Sequence, residues 1–523
     1  MQRLPVVASA FAALVSVLGC SSPPPAHPNP ELLASADAEL RKGCHDCLIE
    51  ARASYRRLAV GADRPQLIAR VFESDLLIAL RDKELGLPPS DALAEARRIA
   101  PQLPRELEAE RGLELVDAIP SHELGLPRRE LRAFLAAHAA QLGSLDQLRA
   151  HLAGSRLRAP VRDYLRLALD CAYPRTDRGA PLPPVSAPAG AAAQPSPLLG
   201  YRAAICGFGP IAALAAVRAR EPRFVETSLF IASTELALAA DGGPQRAKAH
   251  LAEALARFPA SPAIAYLMGA YDLLVGDYRE ALPFYDRVLA AQPAHDQALL
   301  GRIVCLSNLE RPQEAIEAAT RLVDLGADSL SDAYYWRARN RHALGQLGDA
   351  RRDIAAARDL IPTADVLTLA GIIEYDQGDL DPAQADLATA IDRNGRDCTA
   401  RWYLALVHHR RRDWRVSAHA FEDAIACYRE RARDSAERVR ALEARADLDP
   451  AYQASLAASL AASIAADTRQ LHLAALAGAS CAAAGGDIAS AASLLELAGE
   501  DPALADRVTR LRASFARPRR PRD

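Results

Sequence analysis

Over its second half the chain repeats a pattern of small and apolar positions at a nearly fixed interval. Ala247, Ala281, Ala315, Ala350, Ala383 and Ser417 follow one another at steps of 34, 34, 35, 33 and 34 residues. Seven residues beyond each lies Ala254, Val288, Leu322, Ala357, Ala390 or Ala424, which a helical period of 3.6 places on the same face. Pro259, Pro293 and Pro362 close three of the units, and a turn precedes the small residue in Gly276-Asp277-Tyr278, Gly378-Asp379-Leu380 and Arg412-Asp413-Trp414. The spacing predicts pairs of antiparallel helices, six of them between about residues 230 and 430. A degenerate seventh is expected near 473–502, with Gly486-Asp487-Ile488 as its turn and Ala491 as its small residue. Each pair is too small to bury its own apolar face, so neighbours must stack.

This text resembles the tetratricopeptide repeat, a helix-turn-helix unit of 34 residues. Gly269 and Gly371 match the small residue of its first helix, while Ile303, Ala338 and Ala405 depart from it. The resemblance implies an all-α fold, an α-α superhelix or solenoid of hairpins. It also implies that one face of each first helix lines a concave groove. The matching positions are Tyr266, then Tyr335, Trp336, Arg339 and His342, then Tyr375, then Trp402, Tyr403, His409 and Arg410. Independently of the resemblance, Tyr335, Arg339 and His342 stand at i, i+4 and i+7, and Trp402, Leu406 and His409 repeat that spacing. Aromatic and Arg side chains are the usual anchors of a protein partner. The groove is therefore expected to hold a segment of another protein.

The remaining stretches set the boundaries. Arg3 and an apolar run from Leu4 to Leu18 read as a secretory signal over residues 1–19. Cys20 follows Val17-Leu18-Gly19 and resembles a bacterial lipobox, which implies lipidation at Cys20. A Pro-rich tether would then run over 20–30 and the body would lie in the periplasm, anchored to the outer membrane. Residues 31–173 read as a degenerate helical-hairpin domain, in which Glu84-Leu85-Gly86-Leu87-Pro88 recurs as Glu123-Leu124-Gly125-Leu126-Pro127. A linker with seven prolines between Pro174 and Pro197 is placed at 174–200 and the repeat array at 201–430. The charged and then Ala-rich stretch 431–470 predicts one or two longer inserted helices. Degenerate capping helices at 471–515 and a basic tail at 516–523 complete the chain.

Composition narrows the chemistry. Half of the 523 residues are hydrophobic but only 5% are aromatic, and 63 basic against 66 acidic residues leave no field that favours nucleic acid. No phosphate-binding Gly loop, nucleophile elbow, metalloprotease pair or calcium loop is present. The exception is Cys44-His45-Asp46-Cys47, whose spacing suits a disulfide, a redox dithiol or half of a metal site. No second ligand pair accompanies it, so no metal and no cofactor is expected. Eight cysteines besides Cys20 suit an oxidising compartment. Cys398 begins the first helix of its unit and Cys427 ends the second, which predicts a disulfide between them. Cys171 and Cys206 flank the linker and form a second candidate pair, while Cys305 and Cys481 are expected as buried thiols. The leading expectation is a non-catalytic scaffold. The alternatives are a thiol-disulfide oxidoreductase using Cys44 and Cys47, and a purely structural spacer.

Overall fold

A computed structural model describes residues 29–60, 65–119, 137, 145–172, 196–205, 211–237, 243–326, 329–445 and 450–515. The signal sequence, Cys20, the second Glu-Leu-Gly-Leu-Pro, Cys206, nearly all of the Pro-rich linker and the basic tail lie outside them. Among the described residues every regular element is helical, and no helix is long and apolar enough to cross a membrane.

The array consists of helical hairpins stacked in sequence order. The first helices are Glu226–Ala237, Pro262–Leu274, Asp296–Asn308, Leu330–Ala343, Ala364–Gln377 and Cys398–Arg410. They alternate with the second helices Gly243–Arg257, Tyr278–Ala291, Pro312–Asp324, Leu347–Leu360, Leu380–Arg393 and Trp414–Glu443. All the repeated small positions are fully buried, as are the apolar positions seven residues on. Small side chains there let helices approach until their backbones nearly touch. A β-carbon on Gly371 would lie 2.5 Å from Leu387 Cγ, and one on Gly301 would lie 2.3 Å from the Tyr285 ring.

The turn between the paired helices has a backbone reason. A glycine one or two residues past the end of the first helix turns left-handed, with φ of 83° at Gly276, 89° at Gly378 and 90° at Gly486. The next N–H, from Asp277, Asp379 or Asp487, then reaches back to a carbonyl five residues earlier at 2.8–2.9 Å. The Asp277 and Asp487 side chains accept from the amide three residues on and cap the second helix. Arg412 occupies the same position with φ 65°, a conformation that costs a residue with a β-carbon on the order of 1 kcal/mol.

Two boundaries differ from those expected. Residues 431–470 do not form separate inserted helices. They lengthen the flanking elements into helices Trp414–Glu443 and Pro450–Ala484, of 30 and 35 residues. The two pack on each other, joined by Arg431 with Asp467 and by Gln453 Nε2 donating to the Leu442 carbonyl at 2.6 Å. No Gly or Pro occurs from Trp414 to Glu443 or between Pro450 and Gly478, so nothing ends these two helices at the usual repeat length, and Pro450 sits at the first turn of the second. The linker also stops earlier than residue 200. Ser196 caps a helix, Pro197–Ala203, with Pro at its first turn, and Leu198 is fully buried in the core of the N-terminal block.

That block spans helices Pro30–Lys42, His45–Ala59, Pro65–Glu84, Ala92–Ile99, Ala109–Ala118, Leu145–Gly154 and Ala159–Ala172. Its core includes Tyr55, Phe72, Leu76, Val161 and Tyr164. Arg81 is fully buried between this block and the array, 4.0 Å above the Tyr201 ring and donating to the Gly43 carbonyl at 3.0 Å.

Candidate functional site

The first helices of the fourth to sixth hairpins bring most of the predicted groove residues together. On helix Leu330–Ala343, Tyr335 meets Trp336 edge-on with ring centres 5.5 Å apart, and exposed Arg339 lies 4.9 Å above the Trp336 ring. His342 Nε2 is 2.7 Å from Asp376 Oδ2 of the next first helix, which ties two units across the face. On that helix Tyr375 meets Tyr403 edge-on at 5.7 Å. Arg410 stacks 3.8 Å above Tyr375 and donates to its carbonyl at 2.5 Å. Trp402 meets Phe421 at 5.3 Å, and exposed His409 meets Trp414 at 5.4 Å.

The set is not one uniform line. Trp336 packs partly buried against the core of the second and third hairpins, and Tyr403 against that of the fifth. Tyr335 and Trp402 are likewise partly buried, against the core of the fourth hairpin and that of the C-terminal end. Tyr266 stands apart, stacked 5.1 Å from His295. Burial pushes the phenols of Tyr266, Tyr335 and Tyr403 above their ordinary range, so all three stay neutral donors at physiological pH. The face therefore offers aromatic edges, with Arg339, His409 and Arg410 as its outward polar groups.

At its C-terminal end the face opens into a groove of about 650 Å³ that the repeat text did not mark. Trp402 and Leu406 line one side, Leu473, Leu476 and Ala477 of helix Pro450–Ala484 the floor, and helix Ala505–Phe515 the far side. Its signal in the sequence was the spacing of Leu473, Leu476 and Ser480, hidden in Ala-rich text.

The cysteines fall into different roles. Cys398 and Cys427 are joined by a disulfide with Cα atoms 5.5 Å apart. Cys305 and Cys481 are buried free thiols, and burial pushes the Cys305 thiol up to about 12. Cys171 is disulfide-bonded. Cys44 and Cys47 form a disulfide that is fully buried among Tyr201, Phe224 and Ile231. It caps helix His45–Ala59, and Cys44 Sγ accepts from the Cys47 amide at 3.1 Å.

The same turn is the joint between the N-terminal block and the array. The His45 amide donates to the buried Glu226 carboxylate, His45 Nε2 is 3.0 Å from Asp82 Oδ1, and Asp46 accepts from Arg257 Nε at 2.9 Å. Beside it, Ser261 Oγ donates to the Leu85 carbonyl at 2.6 Å. Thiol exchange needs an accessible sulfur, and both sulfurs of this disulfide are buried. Among the described residues no cluster of three or more His, Cys, Asp or Glu is placed to hold a metal ion.

Two tetratricopeptide-repeat family models match the chain, at residues 272–341 and 368–431. Among solved structures, a tetratricopeptide repeat protein from Parabacteroides merdae is 16% identical with a TM-score of 0.35, covering 44% of this chain and 90% of its own. PilW, titled a widely conserved type IV pilus biogenesis factor, is 20% identical with a TM-score of 0.32, covering 37% and 86%. YrrB, titled a TPR protein with an unusual peptide-binding site, is 17% identical with a TM-score of 0.29, covering 34% and 91%. No curated protein matches this chain. The hairpins over residues 272–341 and 368–431, with their buried small residues and left-handed turns, are tetratricopeptide repeats.

Proposed function

We propose that this protein is a non-catalytic scaffold of the bacterial envelope, anchored through a lipid on Cys20, that grips a segment of another envelope protein along the first helices of its array. Tetratricopeptide repeats generally mediate protein–protein interaction. The observation that carries the reading is the run of aromatic and cationic side chains from Tyr335 to Arg410, presented by consecutive first helices. Rigid aromatics lose little entropy on binding, and Arg adds planar hydrogen bonding, so such a face suits partner recognition. The anchor and the outer-membrane address rest on the N-terminal sequence alone.

The test is crosslinking in the native envelope followed by mass spectrometry, with a Trp336→Ala/Trp402→Ala chain as control. A partner captured by the natural chain and lost from the double variant supports the reading. A crosslinking pattern that the two substitutions leave unchanged overturns it in favour of a structural spacer. The rival thiol chemistry predicts insulin reduction that disappears in Cys47→Ala. The burial of both sulfurs argues for no such activity.

A further inference from the structure

The groove at the C-terminal end of the concave face carries a charge preference as well as a shape. Its apolar lining comes chiefly from Trp402, Phe421, Leu473 and Leu476, and no Asp or Glu contributes to it. Leu504, just ahead of helix Ala505–Phe515, and Val508 within it are buried in the last hairpin's core, and Arg507 and Arg510 of that helix line the groove. Both are exposed, and neither makes a hydrogen bond or ion pair among the described residues. Cations at i and i+3 on one helix repel each other by a few tenths of a kcal/mol. Arg337, Arg341 and Arg358 of the array each have a carboxylate partner, whereas these two line the groove without one. Beside an apolar wall, an incoming carboxylate is screened less than in open water and gains more from two unpaired guanidinium groups.

We infer that this groove takes a peptide segment of a partner protein in which a bulky apolar side chain is flanked by carboxylates. The apolar side chain enters between Trp402 and Leu476, and the carboxylates meet Arg507 and Arg510. A space of about 650 Å³ exceeds any single side chain and suits several residues of a segment. The inference rests on the reading of the concave face as a binding surface and adds the chemistry of the occupant.

The test uses the full chain and an immobilised array of short peptides in which one Leu, Phe or Trp is flanked by Asp and Glu, by Lys and Arg, or by Ser and Gly. Binding confined to the acidic set is expected, weakened about tenfold or more by Arg507→Glu/Arg510→Glu and largely kept by Arg507→Lys/Arg510→Lys. Ser480→Trp, a substitution at an exposed lining residue, should block it. Equal binding of all three sets, blocked by Ser480→Trp, overturns the acidic inference while leaving the groove in use. No binding by any set also overturns it, and the envelope crosslinking with the tryptophan variants then decides separately whether the concave face binds at all.

Discussion

Replacing Gly371 by Ala isolates the close approach on which the hairpin stack depends. The added methyl would sit 2.5 Å from Leu387 Cγ, 2.9 Å from its Cδ2 and 3.2 Å from the Ala383 carbonyl oxygen. Carbon atoms rest about 3.5–4.0 Å apart, so Leu387 must retreat by about 1 Å. Both Leu387 and Ala383 are fully buried on the partner helix, which leaves them little room to move. Forcing an extra methyl into such a contact costs about 1–3 kcal/mol, and Ala regains about 1 kcal/mol of helix propensity over Gly. The net expectation is a loss of up to about 2 kcal/mol. Gly348 supplies the control, because it lies in the first turn of helix Leu347–Leu360 with nothing within 4 Å of a β-carbon. There the same substitution should gain up to about 1 kcal/mol. Urea unfolding of both variants followed by circular dichroism at the helix band reads the difference. If Gly371→Ala matches or exceeds Gly348→Ala in stability, close packing at the small positions is not what holds the hairpins together.

Three further outcomes follow from the same contacts. Arg412→Gly relieves a left-handed residue at the turn before helix Trp414–Glu443 and should raise the unfolding free energy by about 1 kcal/mol, read as a higher urea midpoint, whereas an unchanged midpoint would show the turn to be unstrained. Cys398→Ser/Cys427→Ser opens a crosslink across 29 residues and should cost about 2–4 kcal/mol, seen as faster hydrogen exchange in helices Cys398–Arg410 and Trp414–Glu443 than elsewhere. Burial, with Asp277 nearby, pushes the Asp272 carboxyl up to about 6. The folded chain thus keeps a proton that the unfolded chain releases near pH 4, so this contribution is complete below about pH 4 and is lost as pH rises through about 6. Asp272→Asn should accordingly gain stability relative to the natural chain at pH 8 more than at pH 5, and parallel pH profiles would refute it.

What the sequence disclosed and what it concealed divide along the distance over which residues act. The hairpin array was legible because each small residue answers to a neighbour about one unit away, and the Gly-Asp turns are written in adjacent residues. The solenoid fold of stacked helical pairs follows from those local signals. The joint was not legible, since His45 meets Glu226 across 181 positions and no periodicity announces that pairing. Cys44 and Cys47 could be read as a pair, yet their burial depends on Phe224 and Ile231, which arrive from the array. The groove set was legible as a face but not as a surface, because Tyr335, Trp336, Trp402 and Tyr403 each give part of their ring to a hairpin core, which depends on neighbours that the spacing does not name. Arg507 and Arg510 went unremarked for a different reason. Their meaning lies in missing partners, and a sequence shows which cations exist but not which of them are left unpaired.

The lengthened pair Trp414–Glu443 and Pro450–Ala484 has a mechanical consequence. At about 1.5 Å per residue its helices reach roughly 45 and 52 Å, against about 21 Å for the 14-residue helices of the fourth and fifth hairpins. The excess forms a rod standing clear of the seams through which the units cohere. A reporter or foreign domain spliced between Glu443 and Pro450 would ride at the end of that rod, leaving the superhelix undisturbed and turning any rotation of its last turns into a large sweep at the tip.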